Sequence, residues 1–209
     1  MIYLDSALIE DAKVAQNWGW VKGITTNPSL LAKSPLSPEE TLQQLAQLSP
    51  GELYYQLMST DYAGMVKEAR KAYALIGEKT VLKIPATPIG FQVVAYLSDK
   101  IPCSVTAIYS PAQAAIAKEA GAKYAIAYVN RATRLLGDGL KLVRDMAQVL
   151  AGSSTEILAA SLKTPEEAAN ALIAGANHLT IPLEILNSMT TQELSEQTVA
   201  EFNQQGRGI

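Results

Sequence analysis

Residues 80–87 read TVLKIPAT. Thr80, Val81, Leu82, Ile84 and Pro85 make a continuous apolar run, the pattern of a strand buried on both faces of a parallel sheet. Lys83 puts an ammonium in the middle of it. Successive strand side chains point to opposite faces, so Val81, Lys83 and Pro85 share one face while Leu82 and Ile84 share the other. If outer helices cover Leu82 and Ile84, Lys83 points inward.

Seven more short apolar runs flank this one: IYLDS (2–6), KGITTN (22–27), LYYQLM (53–58), CSVTAIY (103–109), KYAIAYV (123–129), EILAAS (156–161) and HLTIP (178–182). Between them lie segments of helical period: LIEDAKVAQNWG (8–19), EETLQQLAQL (39–48), AGMVKEARKAYALI (63–76), GFQVVAYLSDK (90–100), PAQAAIAKEA (111–120), LKLVRDMAQVLA (140–151) and PEEAANALIAGA (165–176). NPSLLAK (27–33) opens the second helix. Ser37-Pro38-Glu40, Ser110-Pro111-Gln113 and Thr164-Pro165-Glu167 each carry the capping-box pattern, with proline where its missing N–H costs nothing. Gly121 and Gly175 fall where helices end and suit a left-handed residue there. Boundaries between 132 and 155 are soft.

Eight strands alternating with helices predict a single (β/α)8 barrel, an α/β fold of TIM type, over residues 1–209. An amphipathic C-terminal helix is added over about 191–204. The rival, an open doubly wound sheet, usually carries a Gly-rich turn after its first strand, and LDSALIED has none.

Composition narrows the function. Hydrophobic residues make up 48% and charged residues 18%, which is globular and not disordered. A net charge of -3 gives no basic field for nucleic acid, and no run spans a bilayer, so neither nucleic acid nor membrane is expected as a partner. The first residues lack a basic n-region, so the expected location is cytoplasmic. One cysteine, Cys103, and one histidine, His178, exclude a disulfide framework and a Cys/His metal cluster. Both read as structural, as do Trp18 and Trp20. No cofactor and no metal is expected.

In a barrel, chemistry sits at the C-terminal ends of the strands. Those ends carry Asp5, Thr25 with Asn27, Gln56, Lys83, Thr106, Tyr128 with Asn130 and Arg131, Ser161 with Lys163, and Thr180. Polar residues concentrated at one end favour one polar site. An amine buried among them is shifted towards its neutral form and becomes a nucleophile able to form a Schiff base with a carbonyl. Two blander readings of Lys83 stand beside this: a lysine snorkelling from the strand end, or a structural partner of Asp5.

With YLDS, GITTNPSLLAK, VLKIPAT, YVNR and AASLKTP in place, the chain resembles the transaldolase family, and within it the fructose-6-phosphate aldolase subfamily. The resemblance covers nearly the whole chain. It implies a Schiff-base aldolase with Lys83 as the imine lysine, Asp5 in proton transfer, and Thr25 and Asn27 on substrate hydroxyls. Gln56 and Tyr128 stand where typical transaldolases have Glu and Phe, which points to the aldolase subfamily. Tyr128 would act as acid or base, with Gln56 and Thr106 orienting a water. Ser161, Lys163, Asn130 and Arg131 would receive the substrate, with phosphate on Ser161, Lys163 and Arg131. The expected substrates are sugar phosphates and dihydroxyacetone, with fructose 6-phosphate cleaved to dihydroxyacetone and glyceraldehyde 3-phosphate. Transfer of the dihydroxyacetone unit between sugar phosphates in the pentose phosphate pathway is the alternative, and a non-catalytic sugar-phosphate-binding barrel is a third. The resemblance also implies a homo-oligomer, a pentamer or decamer. The chain departs from the subfamily pattern at Pro88, around Cys103, and at Arg134 with a delayed Asp138.

Overall fold

The computed structural model describes residues 1–208. Eight parallel strands close into a barrel in sequence order. They are β1 (Ile2–Asp5), β2 (Gly23–Thr25), β3 (Glu52–Gln56), β4 (Thr80–Pro85), β5 (Cys103–Ile108), β6 (Tyr124–Tyr128), β7 (Glu156–Ala160) and β8 (His178–Ile181). The ring is closed by β1 against β8, with Ile2 opposite Leu179 and Leu4 opposite Ile181. The helices are α1 (Ile9–Trp18), α2 (Pro28–Leu31), α3 (Pro38–Leu48), α4 (Tyr62–Ile76), α5 (Pro88–Leu97), α6 (Pro111–Glu119), α7 (Val129–Leu136), α8 (Gly139–Val149), α9 (Pro165–Ile173), α10 (Leu183–Met189) and α11 (Glu193–Gln205). Among the described residues, no helix is long and apolar enough to cross a membrane.

Two apolar compartments follow from strand alternation. Leu82, Ile84, Val105 and Leu179 pack outward with the helix residues Ala69, Val93, Ala117 and Ala171. Tyr3, Tyr54, Val81, Tyr124, Ile126 and Leu158 form a separate cluster with Tyr128 packed against it. Val81 in that inner cluster fixes the parity of β4, so Lys83 points into the barrel. The small alanines on the outer faces let the helices approach the sheet closely.

Helix starts follow the predicted chemistry with one refinement. Ser37 forms a full capping box with Glu40. Ser110 and Thr164 also cap through their hydroxyls. There the third residue reaches one position further back: Gln113 Oε1 accepts from the Tyr109 N–H, and Glu167 Oε2 from the Lys163 N–H. Gly121 and Gly175 have φ of 81° and 110°, the left-handed ends that were expected.

Helix α2 is shorter than its sequence segment, and two others, α7 and α10, have no counterpart among the periodic segments. NPSLLAK makes only the four-residue α2, and α3 is separate. Helix α7 starts directly from β6 with no side-chain cap. Helix α10 follows Pro182, again without a side-chain cap. The C-terminal helix begins at Glu193 and buries no residue.

Candidate active site at the barrel mouth

Lys83 is 4% exposed, and its Nζ donates to the Thr26 carbonyl oxygen at 2.9 Å. Burial pushes its pKa below the ordinary lysine value, against the opposing charge of Asp5. Asp5 ends β1 and is pushed the other way. Burial raises its pKa, while the Lys83 charge and the Thr25 hydroxyl pull it down without prevailing. Both groups therefore resist their charged forms, and this pair does not recover in mutual attraction what it loses in hydration. The charges of Lys163 and Lys33 also reach Asp5.

Thr25 Oγ1 donates to Asp5 Oδ1 at 2.9 Å and also shares a short hydrogen bond with Thr180 Oγ1. Gln56 lies opposite Lys83 in the β3–β4 register, so the two side chains leave the sheet on the same face. Asn27 N-caps α2: its Oδ1 accepts the Leu30 N–H at 3.0 Å. That helix-start role commits the amide oxygen and leaves Nδ2 as the group a ligand would use.

Across the mouth, Tyr128 and Thr106 share a hydrogen bond at 2.9 Å. Burial raises the phenol pKa, Thr106 lowers it, and the Asp5 charge raises it. The Arg131 guanidinium lies over the Tyr128 ring, 5.3 Å from its centroid, and Tyr109 meets the ring edge-on. Tyr128 is thus fixed in position by three neighbours.

A third group joins the ends of β6 and β7. Asn130 Nδ2 donates to Glu167 Oε1 at 2.7 Å, and the Asn130 N–H donates to the Ser161 carbonyl at 3.1 Å. Ser161 has φ of 58°, the left-handed region that a non-glycine residue rarely adopts. Arg131 and Lys163 are exposed at this edge. Glu167 was read from sequence only as a capping residue. Its bond to Asn130 crosses 37 positions of chain, and no local pattern announces it.

Two clefts of about 530 Å³ open from the mouth. One runs from Asp5 past Asp11, Trp18, Lys33, Glu184 and Asn187. The other runs from Gln56 between Met58, Pro85, Pro88 and Ile89, so Pro88, one of the departures from the subfamily pattern, lines an approach to the site.

The expectation that polar groups gather at one end needs correction, because the base of the barrel holds a second set. Glu52 accepts from Tyr3 at 2.7 Å, Tyr54 at 3.0 Å, Tyr124 at 3.0 Å and Lys123 at 2.7 Å. His178 bridges Glu156 and the Met1 amine. His178 and Cys103 are buried, as their structural readings anticipated, while Trp18 stacks on Trp20 at 5.2 Å between centroids and also lines the Asp5 cleft.

The α/β barrel thus brings a buried amine, a carboxylate raised by burial and a phenol to one mouth, the arrangement of an enzyme site. The chain belongs to the transaldolase/fructose-6-phosphate aldolase family, whose model matches residues 2–207. A probable transaldolase from Kosmotoga olearia is 35% identical over 204 residues, covering 96% of this chain and 93% of its own. One from Aquifex aeolicus is 34% identical, with coverage of 96% and 93%. Among solved structures, a mandelate oxidase variant superposes with a TM-score of 0.64 at 18% identity, over 88% of this chain and 64% of that one. At that identity the likeness shows the fold alone.

Proposed function

We propose that the protein is a Schiff-base aldolase that cleaves fructose 6-phosphate to dihydroxyacetone and glyceraldehyde 3-phosphate. The observation that carries this reading is Lys83: an inward-facing, buried amine biased towards its neutral form. Its lone pair adds to the ketone carbon, and loss of water gives the protonated imine. A base removes the C4 hydroxyl proton. The C3–C4 bond then breaks, its electrons pass to the iminium nitrogen, and the phosphorylated aldehyde departs. The enamine left on Lys83 takes a proton at C3, and water hydrolyses the imine to release dihydroxyacetone.

Tyr128 suits the proton transfers. Its hydroxyl is anchored to Thr106, and burial raises its pKa further above neutrality, so it serves first as a proton donor. Asp5, with its raised pKa, exchanges protons near the forming imine. Thr25 and Asn27 hold substrate hydroxyls, and Gln56 with Thr106 orients the hydrolytic water. Arg131, Ser161 and Lys163 take the phosphate, which Arg131 can bind bidentately.

The second reading is transfer: the enamine waits for another sugar-phosphate aldehyde and is not hydrolysed. The relatives named probable transaldolase favour it. The two outcomes differ only in how the enamine partitions. Glyceraldehyde 3-phosphate release from fructose 6-phosphate, measured with and without erythrose 4-phosphate, separates them. Release without acceptor is expected; strict dependence on acceptor assigns transferase activity. A homo-oligomer is part of the same proposal, since α11 leaves Leu194, Val199 and Phe202 exposed. So is a cytoplasmic location.

A further inference from the structure

We infer that Glu167 is a positioning residue that builds the anion site from two separate loops. This rests on the reading of Arg131, Ser161 and Lys163 as the phosphate-binding group. Glu167 sits in the first turn of α9, where its N–H donates to Thr164 Oγ1 at 3.0 Å. Its two carboxylate oxygens go elsewhere. Oε1 accepts from Asn130 Nδ2 at 2.7 Å, and Oε2 from the Lys163 N–H at 2.7 Å. One side chain thus fastens the start of α7 to the loop after β7.

The fastening matters because the start of α7 has no local side-chain cap of its own. Asn130 lies between Tyr128 and Arg131 on its first turn. Ser161 carries a left-handed backbone at φ 58°. Such strain persists only where the surroundings enforce it. The Asn130 N–H bond to the Ser161 carbonyl at 3.1 Å is part of that enforcement. Glu167 fixes Asn130 from one side and Lys163 from the other, so Ser161 is held between two anchored neighbours.

A carboxylate beside an anion site works against itself. Its charge repels phosphate, while its hydrogen bonds place the cations. Glu167→Gln separates the two effects. The glutamine oxygen still accepts from Lys163, and its amide pairs with Asn130 once that amide is reversed. Glu167→Ala removes both bonds and the charge.

The experiment measures aldol addition of dihydroxyacetone to glyceraldehyde 3-phosphate and to unphosphorylated glyceraldehyde, in the intact chain and both variants. It is accompanied by thermal melting, borohydride trapping of dihydroxyacetone on Lys83, and calorimetric titration with inorganic phosphate. Glu167→Ala is expected to raise KM for the phosphorylated aldehyde about tenfold, the scale of one charge-assisted hydrogen bond. KM for glyceraldehyde and the trapping yield stay unchanged. Glu167→Gln is expected to keep KM at or below the parent value. If both variants lower KM for the phosphorylated aldehyde, Glu167 only repels the anion and the inference is overturned. A loss of melting temperature with neither KM moved makes it a helix-start residue and also overturns it. Absence of trapping in the parent chain removes the aldolase reading alone. The inference then stands if phosphate binding weakens about tenfold in the Ala variant and not in the Gln variant, and it falls if the parent chain binds no phosphate or the Ala variant binds it as tightly.

Discussion

Glu52 at the base of the barrel and Asp5 at its mouth face the same interior, and their environments push them in opposite directions. Burial raises both. At Glu52, donors from Lys123, Tyr3 and Tyr124 outweigh burial and hold the carboxyl below its ordinary value. At Asp5, Lys83 and Thr25 do not outweigh it. The two ends share strands: β1 carries Tyr3 and Asp5, β3 carries Glu52 and Gln56, and β6 carries Tyr124 and Tyr128, with burial raising the phenols at both ends. The base is a closed set of donors and acceptors. At the mouth Lys83 and Asp5, a base and an acid side by side, are both pushed towards their neutral forms, the perturbation that marks a candidate site for proton transfer.

The contrast is broken most sharply by Tyr128→Phe, which keeps the ring under Arg131 and removes the hydroxyl. Cleavage of fructose 6-phosphate is expected to fall about 10²-fold or more, the usual worth of a positioned acid or base, while melting temperature moves little. A steady-state assay beside a thermal melt checks this. Equal loss of activity and stability would place Tyr128 with the structural tyrosines of the base.

Glu52→Ala probes the other end. It leaves three tyrosine hydroxyls and a lysine without their shared acceptor, so about 3 kcal/mol of stability is expected to go, read by urea unfolding. Activity per folded molecule stays near the parent value. In the parent, Glu52 has its lower pKa in the folded state, so its contribution is present above the unfolded value of about 4.3 and is lost as pH falls through the folded one. An acid unfolding limb unchanged in Glu52→Ala would contradict this assignment.

Asp5→Asn carries the smallest expected effect on stability and the opposite sign. The folded pKa of Asp5 is raised, so stability falls as pH climbs from the unfolded value of about 3.9 towards the folded one. Removing the charge is expected to stabilise the protein at pH 7 by on the order of 1 kcal/mol, with the gain gone near pH 4. Destabilisation at pH 7 would make Asp5 a structural counter-ion like Glu52. Cleavage falls in the same variant.

Much of this was legible before any coordinates. The apolar run of β4 marks its ends, Thr80 to Pro85, and its alternation puts Lys83 on the face opposite Leu82 and Ile84, while only the packing of Val81 in the inner cluster decides which face is inward. What escaped has physical reasons. Helix α7 begins at the residue after β6 with no cap or turn between them, so no start signal separates the helix from the strand. The tyrosines of the base pass for ordinary strand apolars until their hydroxyls are seen to converge on Glu52. Glu167 joins loops 37 positions apart, a consequence of β6–β7 pairing that no short window of residues contains.

The most direct test of the central claim is borohydride reduction of the protein with dihydroxyacetone at pH 7, followed by mass mapping of peptides. A stable adduct on Lys83 alone, formed at a pH where ordinary lysines are protonated, is the predicted result. An adduct on Lys163 or another exposed lysine, or none at all, would contradict it.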